Sequence, residues 1–190
     1  MAVSEVDICN FALMKLGHTA ILSLIDDSDE ARACNAAYAI CRDEVLAARP
    51  WNFATDWYLL EQLVAAPADP NFSLSYQLPT NTLKVWGLDT QGWDYNVQMG
   101  KLYTNLSAPT AQITKRITDS GSFSAHFVTT LGYRLAAEMC DSIVAKHTTA
   151  NDLMIAYERK LQDASTSDGQ ESAPLSEDVN IVRDVRFTGN

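Results

Sequence analysis

Apolar positions recur at helical steps of three and four in four stretches of the chain, and at steps of two in a long segment between the second and third. The first stretch, 4–16, puts Val6, Cys9, Leu13 and Leu16 on one face. Ser4 and Asp7 there have the spacing of a capping pair, and Gly17 suits a left-handed stop. The second, 28–49, aligns Cys34, Tyr38, Cys41, Val45 and Ala48, with Asp27 and Glu30 spaced as a capping box. Pro50 has no N–H and disfavours helical geometry at Arg49, so this helix is expected to end there. A third helix, 123–147, follows from Phe127, Leu131, Leu135, Met139 and Ile143. After a break at 148–151, a fourth at 150–164 follows from Leu153, Ala156, Tyr157, Leu161 and Ala164. The apolar run His18–Ile25 is too short for another long helix and reads as a buried connection.

Past Pro50 the period changes. Trp51, Phe53, Trp57 and Leu59 are predicted to share one strand face, with Asn52 and Asp56 opposite. Further strand signals lie at 72–78, at Leu83 and Val85 before Gly87, at 93–99, at Leu102-Tyr103-Thr104 and at 111–118, with a hairpin candidate at Gly100-Lys101. No crossover helix fits between them, so an antiparallel meander is expected. The predicted fold class is α+β: an antiparallel helix bundle (1–50 and 122–164), an inserted antiparallel β layer (51–121) and an extended C-terminal arm (165–190). Within the arm, 165–174 has the composition of a flexible linker. After it, Val179, Ile181, Arg183, Val185 and Phe187 alternate with Asn180, Val182, Asp184 and Arg186, as in a strand that lacks a partner in its own chain. Val179, Ile181, Val182, Arg183, Val185, Arg186 and Phe187 are therefore the candidate partner-binding residues, expected to dock on a neighbouring subunit.

Composition narrows the function. A chain of 190 residues can bury a sizeable core unaided. With 24 acidic against 14 basic residues and a net charge of −10, it is unsuited to gripping phosphates or anionic lipid, though DNA could pass it without sticking. No run is long enough to span a bilayer, and the N-terminus lacks the basic start and apolar core of a signal peptide, so a reducing cytosol is expected. Cys9, Cys34, Cys41 and Cys140 form no Cys-x-x-Cys pair and read as buried small hydrophobes.

Chemistry is sparse. The chain has no nucleophile elbow, no phosphate-cradling glycine loop and no His-Glu-x-x-His. His18, His126 and His147 stand far apart, and the acidic run Asp26–Glu30 lacks the glycine and closing glutamate of a calcium loop. Glu138 and Asp141, one turn apart, could share a proton but fit a solvated helix face as well. Neither a cofactor nor a metal is expected. Tryptophans 51, 57, 86 and 93 concentrate in the β segment without the basic groove of a base-stacking platform, which favours core and interface packing.

The order Asp7-Ile-Cys-Asn-Phe-Ala-Leu-Met-Lys-Leu-Gly17, Asp29-Glu-Ala-Arg32, Arg49-Pro-Trp-Asn-Phe-Ala54, Tyr76-Gln-Leu-Pro79 and Leu83-Lys-Val85, followed by a late helix pair, resembles the tail tubular protein A family of podophages. These are head-to-tail adaptors, and the resemblance covers about Ser4 to Ala164. It implies a structural virion protein, without catalytic residues, in a ring expected to be dodecameric. Its implied partners are the portal protein and a tail tubular protein B-like nozzle protein, and the genome would pass through the ring without specific binding. Two other classes remain compatible with the residues. An acidic assembly chaperone would be missing from finished particles, and a small enzyme would be stabilised against heat by its metal or substrate.

Overall fold

The computed structural model describes residues 3–65, 67–143 and 147–171. The fold is α+β, with four helices and two antiparallel sheets. Helix α1 (Glu5–Leu16) opens on a reciprocal cap: Asp7 N donates to the Ser4 hydroxyl at 3.1 Å, and Ser4 N donates to the Asp7 carboxylate at 2.9 Å. The bonds to Ser4 hold the Asp7 carboxyl below its ordinary pKa. The helix closes at Gly17, at φ 74°, where the His18 amide reaches back to the Leu13 carbonyl at 3.0 Å. Helix α2 (Asp29–Ala48) is capped by the Ser28 hydroxyl, which accepts from Ala31 N at 3.1 Å, so the cap lies one residue after Asp27. Asp27 instead holds Arg32 from outside the helix, at 2.6 Å. The α2 stripe is buried from Cys34 to Val45, but Ala48 is exposed.

Helix α3 (Ala125–Ile143) is the centre of the bundle and packs against α1, α2 and α4 (His147–Glu171). It starts where Phe127 N donates to the Ser124 hydroxyl; Asp119 caps only a short 3-10 turn before it, Ser120–Ser122. The predicted faces of both late helices point inward, with Phe127, Leu131, Leu135, Met139, Leu153, Tyr157 and Ala164 buried. Two boundaries move. Residues 148–150 lie inside α4, and α4 continues through Glu171, so the first part of the expected linker is helical. The segment 179–187 lies outside the described residues.

Two ion-pair sets tie α2 to its neighbours. Arg134 on α3 reaches Glu44 and Glu138, each at 2.8 Å, and Arg116 reaches Asp43 at 2.7 Å. Facing α1, the Tyr38 hydroxyl is buried and has no hydrogen-bond partner among the described residues; burial pushes its pKa up. Removing an orphaned hydroxyl relieves its desolvation, so Tyr38→Phe is expected to leave stability unchanged or raise it by up to about 1 kcal/mol. Urea unfolding checks this, and a loss of more than that amount would show that the hydroxyl is satisfied.

The β insertion forms two sheets. One has the order β1 (Thr55–Leu59), β7 (Thr110–Lys115), β4 (Thr82–Leu88). The other runs β2 (Glu61–Gln62), β3 (Leu74–Gln77), β6 (Lys101–Thr104), β5 (Tyr95–Gln98). Every pairing is antiparallel, but the order is not a meander: β7 returns between β1 and β4, and β6 returns beside β3. The β5–β6 hairpin forms, but its turn falls one residue earlier than expected: Met99 and Gly100, both at positive φ, are the turn pair and Lys101 opens β6. Leu60, Tyr76, Leu78, Leu102, Ala111 and Ile113 from both sheets make a second core. Strand β4 does not stop at Gly87. Two register shifts break its alternation, so Leu83 packs on the helical core and Val85 on the β core.

Candidate functional site

Residues 51–54 are not the start of a strand. They form a turn that belongs to the helical core, with Trp51 and Ala54 buried there. The Trp51 indole N–H donates to the Val45 carbonyl at 2.7 Å, one of the carbonyls left without a partner at the end of α2. The strand begins at Thr55, and its alternation runs opposite to expectation. Tyr58 and Leu60 turn to the β core, while Trp57 and Leu59 share the outer face, 49% and 70% exposed. Val64, just beyond, is also exposed.

The connection 18–25 is likewise not buried. Ile21 is, held by Asn10 through a bond to each side of its peptide unit, 2.8 Å to Ile21 N and 3.0 Å to Ile21 O. The Asp26 carboxylate then accepts from Leu22 N and Ser23 N at 2.9 and 3.0 Å, and His18 pairs with Glu30 at 3.1 Å. Bonds from its own backbone N–H and from His18 hold the Glu30 carboxyl below its ordinary pKa. These polar bonds fix a loop that presents Leu22 and Ile25 to solvent, 92% and 90% exposed. The hydrophobic pattern alone suggested burial. The signal that could have corrected it is Asp26, spaced to fold the loop on itself and leave its large side chains outside.

Beside this loop lies a groove of about 680 Å³. His18, Asp29, Glu30, Glu138 and Ser142 supply its polar lining, and Ala33, Ala37, Ile40 and Met139 part of its apolar lining.

Among the described residues the charged side chains that meet form ion pairs, as Arg134 does with Glu44 and Glu138. Among the described residues no three His, Cys, Asp or Glu side chains are placed to hold a metal ion. His18 is engaged with Glu30, His126 is exposed, and Glu138 is bound to Arg134. All four cysteines are buried, and none is in a disulfide. Cys9 and Cys34 meet across α1 and α2; their mutual hydrogen bond and burial raise Cys9, and burial pushes Cys41 up to about 12. The raised thiols of Cys9 and Cys41 stay protonated near neutral pH and are poor nucleophiles, while the bond from Cys9 shifts Cys34 downward. Among the described residues no helix is long and apolar enough to cross a membrane. The candidate binding residues Val179, Ile181, Val182, Arg183, Val185, Arg186 and Phe187 lie outside the described residues. Neither a scan against protein-family models nor a search of curated proteins returns a match to the chain.

Proposed function

We propose that this chain is a structural adaptor of a short-tailed bacteriophage. It assembles head to tail into a ring, dodecameric in the family it resembles, between the portal protein and the tail nozzle protein. In the finished virion the ring lines the path by which the genome leaves, and its acidic composition lets DNA slide past without being held. The reading needs neither a cofactor nor a catalytic residue.

The observation that carries it is a pair of different apolar surfaces set far apart. Leu22 and Ile25 project just before the N-terminus of α2, and Trp57 and Leu59 lie just beyond its C-terminus. A helix of 20 residues separates them by about 30 Å. A two-fold dimer buries the same patch on both partners, whereas a ring needs two unlike patches, one on each side of every subunit. Large apolar side chains held out by an ordered loop mark such contacts.

The test replaces Leu22 and Ile25 together by aspartate. Both side chains are already in water, so the melting temperature of the dilute subunit should stay within about 2 °C of the parent. Rings seen by electron microscopy and light scattering, alone or with portal, should disappear. Rings that persist in the double variant would overturn this use of the loop, and parent protein that never forms rings with portal would overturn the adaptor reading.

A further inference from the structure

Strand β1 is the outermost strand of its sheet, bonded to β7 on one side and to no strand on the other among the described residues. The other sheet edges are guarded. Strand β2 has two residues, β4 carries two register shifts and a lysine that reaches the Ala47 carbonyl of α2, and β5 is four residues against an exposed hairpin tip. Strand β1 is five residues, Thr-Asp-Trp-Tyr-Leu, with no lysine, proline or glycine. Leu60 N donates to the Pro109 carbonyl at 3.1 Å and Lys115 N to the Ala54 carbonyl at 3.0 Å. Even-numbered residues of this strand therefore bond to β7, and the backbone groups of Trp57 and Leu59 face the open side. The Trp57 N–H is occupied by the carboxylate of its own neighbour, Asp56, at 2.7 Å. That carboxylate stands where the carbonyl of an added strand would sit.

We infer that residues 179–187 add to this edge as a further strand alongside β1. The donor is chosen by pattern, charge and reach. Four of its five odd positions, Val179, Ile181, Val185 and Phe187, match the apolar face of Trp57 and Leu59; the fifth is Arg183. The same parity puts Arg186 on the face that carries Asp56, so the carboxylate displaced from the Trp57 amide gains a guanidinium.

Reach follows from α4. Only residues 144–146 separate it from α3, and Tyr157 lies beside Arg134, so the two helices run antiparallel. Ala164 then comes level with Phe127, which packs at 5.1 Å on both Trp51 and Phe53, the residues just before β1. Helix α4 thus carries the chain back to the base of the insertion. Residues 172–178 can span about 23 Å when extended. The strand addition stands on the sheet edge and the donor sequence; it rests on the adaptor reading only for which copy donates.

Hydrogen exchange on the full chain tests it, comparing the parent with Ile181→Pro/Val185→Pro, which keeps the length but removes two strand donors. In the parent, the Trp57 and Leu59 amides should exchange at least about tenfold more slowly than in the variant, with α2 and α3 unchanged. Protection that fades on dilution assigns the donor to a neighbouring copy. Protection that survives dilution assigns it to the same chain; strand addition then holds and an arm exchanged around the ring does not. Equal exchange at Trp57 and Leu59 in parent and variant overturns the inference, whatever the fate of the rings.

Discussion

Replacing Trp51 by alanine is expected to cost about 3–5 kcal/mol, the range for deleting a fully buried tryptophan. The ring has no exposed surface and packs edge-on against Phe127 at 5.1 Å, with Phe53 at 6.2 Å and the Arg49 guanidinium over it at 4.7 Å. Its N–H also satisfies the Val45 carbonyl, so one side chain both fills the core and finishes α2. Trp51→Phe separates the two roles: it keeps most of the packing, leaves the carbonyl unpaired, and should cost about 1–3 kcal/mol. Chemical denaturation of both variants checks the order. A Trp51→Ala protein within 1 kcal/mol of the parent would mean that the turn 51–54 does not hold the β insertion to the bundle.

Gly132→Ala is expected to destabilise by about 1–3 kcal/mol, against the gain of roughly 1 kcal/mol that alanine normally brings to a helix interior. A Cβ at this position would lie 2.2 Å from Phe11 Cδ1 and 2.7 Å from Cε1. The Phe11 ring is itself placed edge-on to Tyr133 at 6.0 Å, with the Lys15 ammonium 4.8 Å from its centre. Helix α1 packs mainly on α3, so a shift of Phe11 disturbs that interface beside the fully buried Ile8, Cys9, Ala12 and Leu13. The double variant Phe11→Leu/Gly132→Ala should recover part of the loss, because the smaller side chain can yield. Gly132→Ala more stable than the parent, or no coupling between the two sites, would refute the close packing.

Much of the helical half was legible in the sequence, because capping chemistry and helical periodicity act over a few residues. Ser4 with Asp7, Gly17, and the buried faces of α3 and α4 all lie where local pattern places them. The β5–β6 hairpin was readable from its glycine, but not its register: the turn is Met99-Gly100, one residue before the expected Gly100-Lys101, because Met99 also takes positive φ. Sheet order was not readable. The pairing of β1 with β7 joins residues more than 50 positions apart, and nothing local distinguishes that from a meander.

The candidate surfaces lay beyond the sequence for a different reason. Periodicity shows that Trp57 and Leu59 share a face and that residues 20–25 are apolar, but not which side of either faces the core. The direction was decided by competition for the two cores. Tyr58 and Leu60 were drawn to the β core and turned Trp57 outward, while Ile21 is buried beneath its loop and Leu24 packs partly on the helical core, leaving Leu22 and Ile25 in water. By itself the sequence determined the helices, the cap of α1 and the α+β class, since these follow from short-range sterics and hydrogen bonding. The tertiary structure alone decided which apolar residues remain outside, because burial depends on the shape of the whole and each strand has only two faces to offer.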